Sequence, residues 1–140
     1  MEAIIPYLTF AGNAAAALDF YSNALNGTVL FKQTFGESPM ETAPEIKDHI
    51  MHATFKAGEL TLMVSDSMQG QAPKPGSNLS MSLNFTDQES IDRTFKALAE
   101  GAVITMELQD TFWGARFGML TDQFGFNWMF NYDKEPKAHP

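Results

Sequence analysis

Apolar and polar positions follow one another along the chain in an order that spells the same series of elements twice. The run from Ile4 to Phe10, rich in β-branched and aromatic residues and entered through Pro6, predicts a strand. Gly12-Asn13 ends it, with Asn13 placed to cap a helix. Ala17, Leu18, Tyr21 and Leu25 share one face at helical spacing, so residues 14–25 predict that helix, stopped at Asn26-Gly27. Residues 28–34 read as a second strand, and residues 36–46, with two prolines, Gly36 and acidic residues, as a loop. Two further strands, 50–56 and 59–65, are joined by Ala57-Gly58 as a tight hairpin. Met68 to Ser77, with Gly70, Pro73, Pro75 and Gly76, is the clearest linker.

The pattern then restarts. Leu79, Met81, Leu83 and Phe85 alternate with Ser80, Ser82 and Asn84, as in a strand with one buried face. Thr86-Asp87 caps a helix over 88–99 whose apolar face carries Ile91, Phe95 and Leu98, and Gly101 closes it. Strands are predicted at 102–108, 115–121 and 126–132, the last two connected by Asp122-Gln123-Phe124-Gly125. Leu8 and Leu83, Phe10 and Phe85, and Phe20 and Phe95 each lie 75 positions apart, and Gly27 and Gly101 one fewer. Two copies of such a long repeat point to duplication and pseudo-twofold packing rather than to a solenoid. The fold class expected is α+β, two βαβββ modules.

At 140 residues the chain has the size of one domain, or of two very small modules. It has no cysteine, which excludes disulfides and thiolate metal sites and fits a reducing cytoplasm. The net charge of −8, with no basic stripe, disfavours nucleic acid and anionic membrane surfaces as partners. No stretch approaches the roughly 20 apolar residues of a membrane span. The N-terminus lacks a positive region, and Pro6 breaks its apolar run, unlike a signal peptide. The polar tail from Lys134, with two prolines, is expected to fray.

Three segments carry a resemblance. Asp110 to Met119, with Trp113-Gly114-Ala115-Arg116 at its centre, runs into Asp122-Gln123-Phe124-Gly125-Phe126-Asn127-Trp128-Met129; Pro6 to Ala14 runs into Leu18-Asp19-Phe20-Tyr21; and Met51-His52-Ala53 precedes a strand ending Met63-Val64-Ser65-Asp66. Together they resemble the PhnB-like branch of the vicinal-oxygen-chelate (glyoxalase/bleomycin resistance/dioxygenase) superfamily. The resemblance implies a single domain over 1–140, with module one at 1–66, a linker at 67–78, module two at 79–133 and a tail at 134–140. It also implies that each module curls an antiparallel mixed sheet around half of a cup for a small-molecule ligand, and it implies a homodimer. In metal-dependent relatives four inner-face side chains hold a divalent cation. By pattern these positions fall on Pro6, His52, Ser80 and Met129. Only His52 is a credible ligand there, because proline has no donor, methionine is soft and serine is weak. One imidazole cannot retain a metal that demands three or four ligands, so no metal and no cofactor are expected. PhnB-like proteins have also been labelled demethylubiquinone methyltransferases, but no glycine-rich loop after a strand offers a place for S-adenosylmethionine.

Several side chains remain as site candidates. His52, sharing a strand face with Ile50, Thr54 and Lys56, reads either as a neutral base or hydrogen-bond donor, or as a histidine satisfied by backbone. His49, an odd number of residues away, points elsewhere. Arg116 suits clamping a carboxylate or phosphate, or bracing the loop against Asp110 or Asp122, and Asp110 shares the ambiguity. Phe112 and Trp113, adjacent in a turn, cannot both be buried, so at least one is expected to face a ligand. Met129 and Ser80 line the expected cup by position, whereas Phe124 and Trp128 are expected beneath the helices. Three functions compete: a metal-free binding protein; a metal-dependent lyase, isomerase or dioxygenase using His52; and a metal-free enzyme with His52 as base and Arg116 orienting an anion.

Overall fold

The structure is a computed structural model that describes residues 1–68 and 71–135. Residues 69–70 of the predicted linker and 136–140 of the tail expected to fray lie outside the described residues. The chain divides into two units, Met1–Lys74 and the part from Pro75 onward. Each contains one strand, one helix and three more strands, a helix-plus-sheet architecture that matches the predicted α+β class.

In the first unit β1 (Tyr7–Phe10), α1 (Ala14–Ala24), β2 (Thr28–Thr34), β3 (Ile50–Ala57) and β4 (Leu60–Asp66) form a sheet in the order β1-β4-β3-β2. β1 runs parallel to β4 and the other pairs are antiparallel. β1 starts later than the apolar run predicts, and Ile4 is exposed, although the Pro6 carbonyl still accepts from Met63 N–H at 3.0 Å. α1 lays Ala14, Ala17, Leu18 and Tyr21 on one sheet face, over Leu8, Phe10, Ala53, Phe55, Leu62 and Val64, all buried.

Asn13 stands at the cap position of α1 but its side chain makes no capping bond. The carboxyl of Asp66, at the end of β4, takes that role from across the unit. Its Oδ1 accepts from the N–H groups of Gly12 (2.8 Å) and Ala14 (3.0 Å), and its Oδ2 from that of Ile50 (2.8 Å). At the other helix end Asn26, with φ 54°, adopts the left-handed turn. Gly27 is there for space, because a Cβ would stand 2.3 Å from Phe55 Cζ and 2.7 Å from the Lys56 carbonyl oxygen. The hairpin turn is Gly58-Glu59, one residue later than predicted, with Gly58 at φ +57° and Ala57 paired to Leu60. The predicted loop contains two short 3-10 turns, 35–37 and 44–46, pinned by buried Phe35 and Ile46.

The second unit holds β5 (Met81–Phe85), α2 (Gln88–Leu98), β6 (Val103–Asp110), β7 (Ala115–Thr121) and β8 (Asn127–Asp133), in the order β5-β8-β7-β6, with β5 parallel to β8. Asp87 caps α2 through Ser90 N–H at 2.8 Å. Phe95 of α2 meets Phe130 edge-on, ring centroids 4.9 Å apart, among buried Ile91, Leu98, Leu120 and Trp128. Between β7 and β8, Oδ1 of buried Asp122 accepts from Phe124 and Phe126 N–H, and Oδ2 from Trp128 Nε1 at 2.8 Å.

Candidate functional site on the uncovered sheet faces

Each helix covers one face of its sheet, and the polar and aromatic candidates divide between that face and the other. In the first unit the parity of Leu8, Phe10, Leu62 and Val64 beneath α1 sends Tyr7, Thr9, Met63 and Ser65 to the opposite, uncovered face. Register carries that face onward: Met63 is opposite Thr54, Thr54 opposite Phe31, and His52 opposite Gln33. Phe31, Thr54, Met63 and Tyr7 therefore form a row straight across four strands.

His52 sits beside this row. Its Nδ1 lies 3.1 Å from the Tyr7 hydroxyl and its Nε2 lies 3.5 Å from Thr54 Oγ1. The Tyr7 and Phe31 rings flank the imidazole at centroid distances of 5.8 Å and 6.1 Å. A register shift gives β3 an extra residue between His52 and Ile50. Ile50, expected on the face of His52, is turned away and buried, and only Thr54 and Lys56 keep the predicted parity. Of the β1 residues on His52's face, Tyr7 and Thr9, it is Tyr7 that reaches the imidazole, while Pro6 precedes the strand. Strict alternation with buried Leu8 and Phe10 is the sequence signal that identifies Tyr7. His49 lies before β3, its ring against the Gly12 backbone, apart from His52.

In the second unit Ser82 is opposite Met129, Met129 opposite Met119, and Met119 opposite Met106 on the sheet face away from α2. Ser80 precedes β5 and is exposed, and Ser82 is the serine in register with Met129. The turn between β6 and β7 holds Phe112, 97% exposed, and Trp113, 54% exposed. The two rings meet at right angles with centroids 5.0 Å apart, and Trp113 reaches Phe117 of β7 at 6.2 Å.

Arg116 is opposite Tyr132 in register and so belongs to the helix side of the sheet. Its Nε donates to Asp92 of α2 at 2.7 Å and its Nη1 to Asp110 at 3.2 Å, while Lys134 Nζ reaches Asp110 at 3.1 Å. The hydrogen bond to Asp92 raises the guanidinium pKa against the opposing effect of burial. Hydrogen bonds from Lys134 and then Arg116 hold the Asp110 carboxyl below the usual carboxylate range. Asp92, on a helix 24 residues away in sequence, was not a candidate partner in the sequence; Asp122, which was, is engaged by Trp128 and its own turn.

A hard divalent cation needs several oxygen or nitrogen donors on one face. Among the described residues no group of three or more His, Cys, Asp and Glu side chains could hold a metal ion. Beside His52 stand a phenol, a threonine, the amide side chain of Gln33 and apolar side chains, with no carboxylate and no second imidazole on that face of the strands, a donor set that does not fit such an ion.

A family model described as the Glyoxalase/Bleomycin resistance protein/Dioxygenase superfamily matches residues 4–130. The chain belongs to this superfamily. Among superfamily relatives, Protein YjdN of Escherichia coli is 34% identical over 141 residues, covering 93% of this chain and 95% of YjdN. The crystal structure of protein PA1353 from Pseudomonas aeruginosa superposes with a TM-score of 0.86 at 41% identity, over 96% of this chain and 100% of that one. The PhnB protein of Bacillus cereus, described as a 3-demethylubiquinone-9 3-methyltransferase, superposes with a TM-score of 0.76 at 24% identity, over 94% of this chain and 99% of that one; at that identity it speaks for the fold alone.

Proposed function

We propose that this superfamily member binds a small, partly apolar organic molecule without a divalent metal, on the uncovered face of the first sheet around His52. The observation that carries the reading is the setting of His52: one imidazole flanked by two aromatic rings and two hydroxyl groups, with no group of three or more His, Cys, Asp and Glu side chains able to hold a metal ion among the described residues. Binding sites for organic molecules combine apolar walls with a few placed polar groups, and this face has both.

Phe112 and Trp113 are read as a further stacking surface for an apolar ligand, which their exposure supports. Met129 and Ser80 remain proposed ligand neighbours by family position. Arg116 and Asp110 are read as braces of the β6–β7 turn, because the guanidinium is already engaged by two carboxylates. The methyltransferase description is not adopted: the strand-to-helix turns lack the glycine-rich loop that a nucleoside cofactor needs. A homodimer is proposed from the apolar residues exposed on edge strands β2 and β6, Leu30, Val103 and Ile104 among them. A cytoplasmic location is proposed from the absence of cysteine.

The test is metal retention. After incubation with zinc, nickel or manganese and exhaustive dialysis, elemental analysis is expected to find well under one equivalent per chain. Stoichiometric retention that disappears in His52→Ala contradicts the reading and restores a metal-dependent lyase, isomerase or dioxygenase.

A further inference from the structure

The four strands of the first unit contain a single acidic residue, Asp66, and it is buried on the helix side with its carboxyl committed to three backbone N–H groups. The uncovered face therefore carries no carboxylate on any strand, in a chain with 17 acidic and 9 basic residues. The charged strand residue it does carry is a cation, Lys56, in line with His52 and Thr54 and paired in register with Thr28 and Thr61. The chain's excess of acids disfavours an anion, and no carboxylate on these strands adds to that effect on this face.

The second observation is the contact between Tyr7 and His52. A neutral imidazole donates from one nitrogen and accepts at the other, and the partner of one nitrogen sets the role of the other. The Tyr7 hydroxyl at 3.1 Å meets Nδ1. When the phenol donates there, the proton of the ring sits on Nε2, the tautomer that free imidazole side chains already favour. Nε2–H then has Thr54 Oγ1 only at 3.5 Å, at the far limit of a hydrogen bond. The donor is left for a ligand, and the Thr54 hydroxyl stands beside it as a second.

Resting on the reading that this face binds an organic molecule, we infer that Tyr7 is a positioning residue that holds His52 in the Nε2–H form, and that the head group received there is an oxyanion, a carboxylate or phenolate, whose apolar body lies over Phe31 and Met63. A hydrogen bond to a charged acceptor is roughly twice as strong as one between neutral groups, so Nε2–H rewards an anionic oxygen over a neutral one. The ring of Phe31 and the thioether of Met63, in one row with Thr54, supply the apolar floor.

The experiment uses the full chain and three probes of one shape and different charge: benzoate, benzamide and benzylamine at neutral pH. Long-range ¹H–¹⁵N spectra of the histidine rings report the tautomer of His52, and titration reports affinity. The expected result is an Nε2–H signature for His52, with benzoate binding at least about fivefold more tightly than benzamide, and benzylamine weakest. Tyr7 is 51% exposed, so Tyr7→Phe folds normally; it is expected to mix the tautomers and to weaken benzoate about fivefold while changing benzamide less. An Nδ1–H signature in the unsubstituted protein, or an unchanged ring signature in Tyr7→Phe, overturns the role of Tyr7. Preference for the amide or the amine overturns the oxyanion and leaves the binding reading standing. Failure of all three probes at millimolar concentration counts against both.

Discussion

Asp66→Ala is expected to lose about 3–5 kcal/mol of unfolding free energy, measured by urea denaturation followed by circular dichroism. The carboxyl is 3% exposed and accepts three backbone N–H groups, from the β1–α1 turn, the first residue of α1 and the first residue of β3. Removing an N-terminal cap costs about 0.5–2 kcal/mol, and each buried donor left without a partner about 1–3 kcal/mol. A domain is stable by only about 5–15 kcal/mol, so the loss is a large share of the total. Asp66→Asn is expected to be nearly as damaging: one of its two terminal atoms becomes an NH₂ group and confronts a backbone N–H. Asp19→Ala, on the exposed side of α1, is the control and is expected to change stability by less than about 0.5 kcal/mol. Equal effects at the two positions contradict the assignment of Asp66 as the clasp of the first unit.

The second large effect belongs to the second unit. Trp128→Ala is expected to cost about 3–5 kcal/mol, the range for truncating a fully buried large aromatic. Trp128 is 1% exposed, lies opposite Met81 on one side and Leu120 on the other, and ties its indole N–H to Asp122 Oδ2 at 2.8 Å. Truncation opens a cavity under α2 and takes one donor from the carboxyl that organises the β7–β8 turn. Trp128→Phe keeps most of the volume but not the donor and is expected to cost about 1–3 kcal/mol. Trp113→Ala, in a turn and half exposed, is expected to change stability by less than about 0.5 kcal/mol. The pair separates a structural tryptophan from one free to serve a ligand. Comparable losses in Trp113→Ala and Trp128→Ala contradict that division.

The order of elements was legible because each has its own period: alternation in β5, helical spacing in α2, and glycine or proline between them. Boundaries were less so. Ile4 and Ile5 are β-formers, yet pairing between β1 and β4 begins only at Tyr7 and Met63, three residues into β4, so β1 starts later than its apolar run. Long-range pairing also hides Asp66 as a cap; Asn13 has the right residue type in the right place, and a carboxyl more than fifty positions away makes the bonds. Gly27 resembles a glycine chosen for its backbone freedom, but the left-handed residue is Asn26 and Gly27 makes room for Phe55. At the candidate site, His52 was legible from family position and strand parity. Alternation with Leu8 and Phe10 gives the face of Tyr7, but that Tyr7 and Phe31 meet His52 was not legible, because no local pattern reveals the register of their strands with β3 and β4. The extra residue in β3 shows the same limit: one bulge reverses Ile50 and leaves His52 in place.

The binding of small organic molecules on the uncovered face of the first sheet, around His52, is tested most directly by a fragment screen. It is read by ¹H–¹⁵N and methyl chemical-shift mapping on the full chain. Hits are expected to perturb Tyr7, Phe31, His52, Thr54 and Met63 together and to lose affinity in His52→Ala. Perturbations confined to the helix-covered sides of the sheets, or unchanged by that substitution, contradict a ligand site at His52.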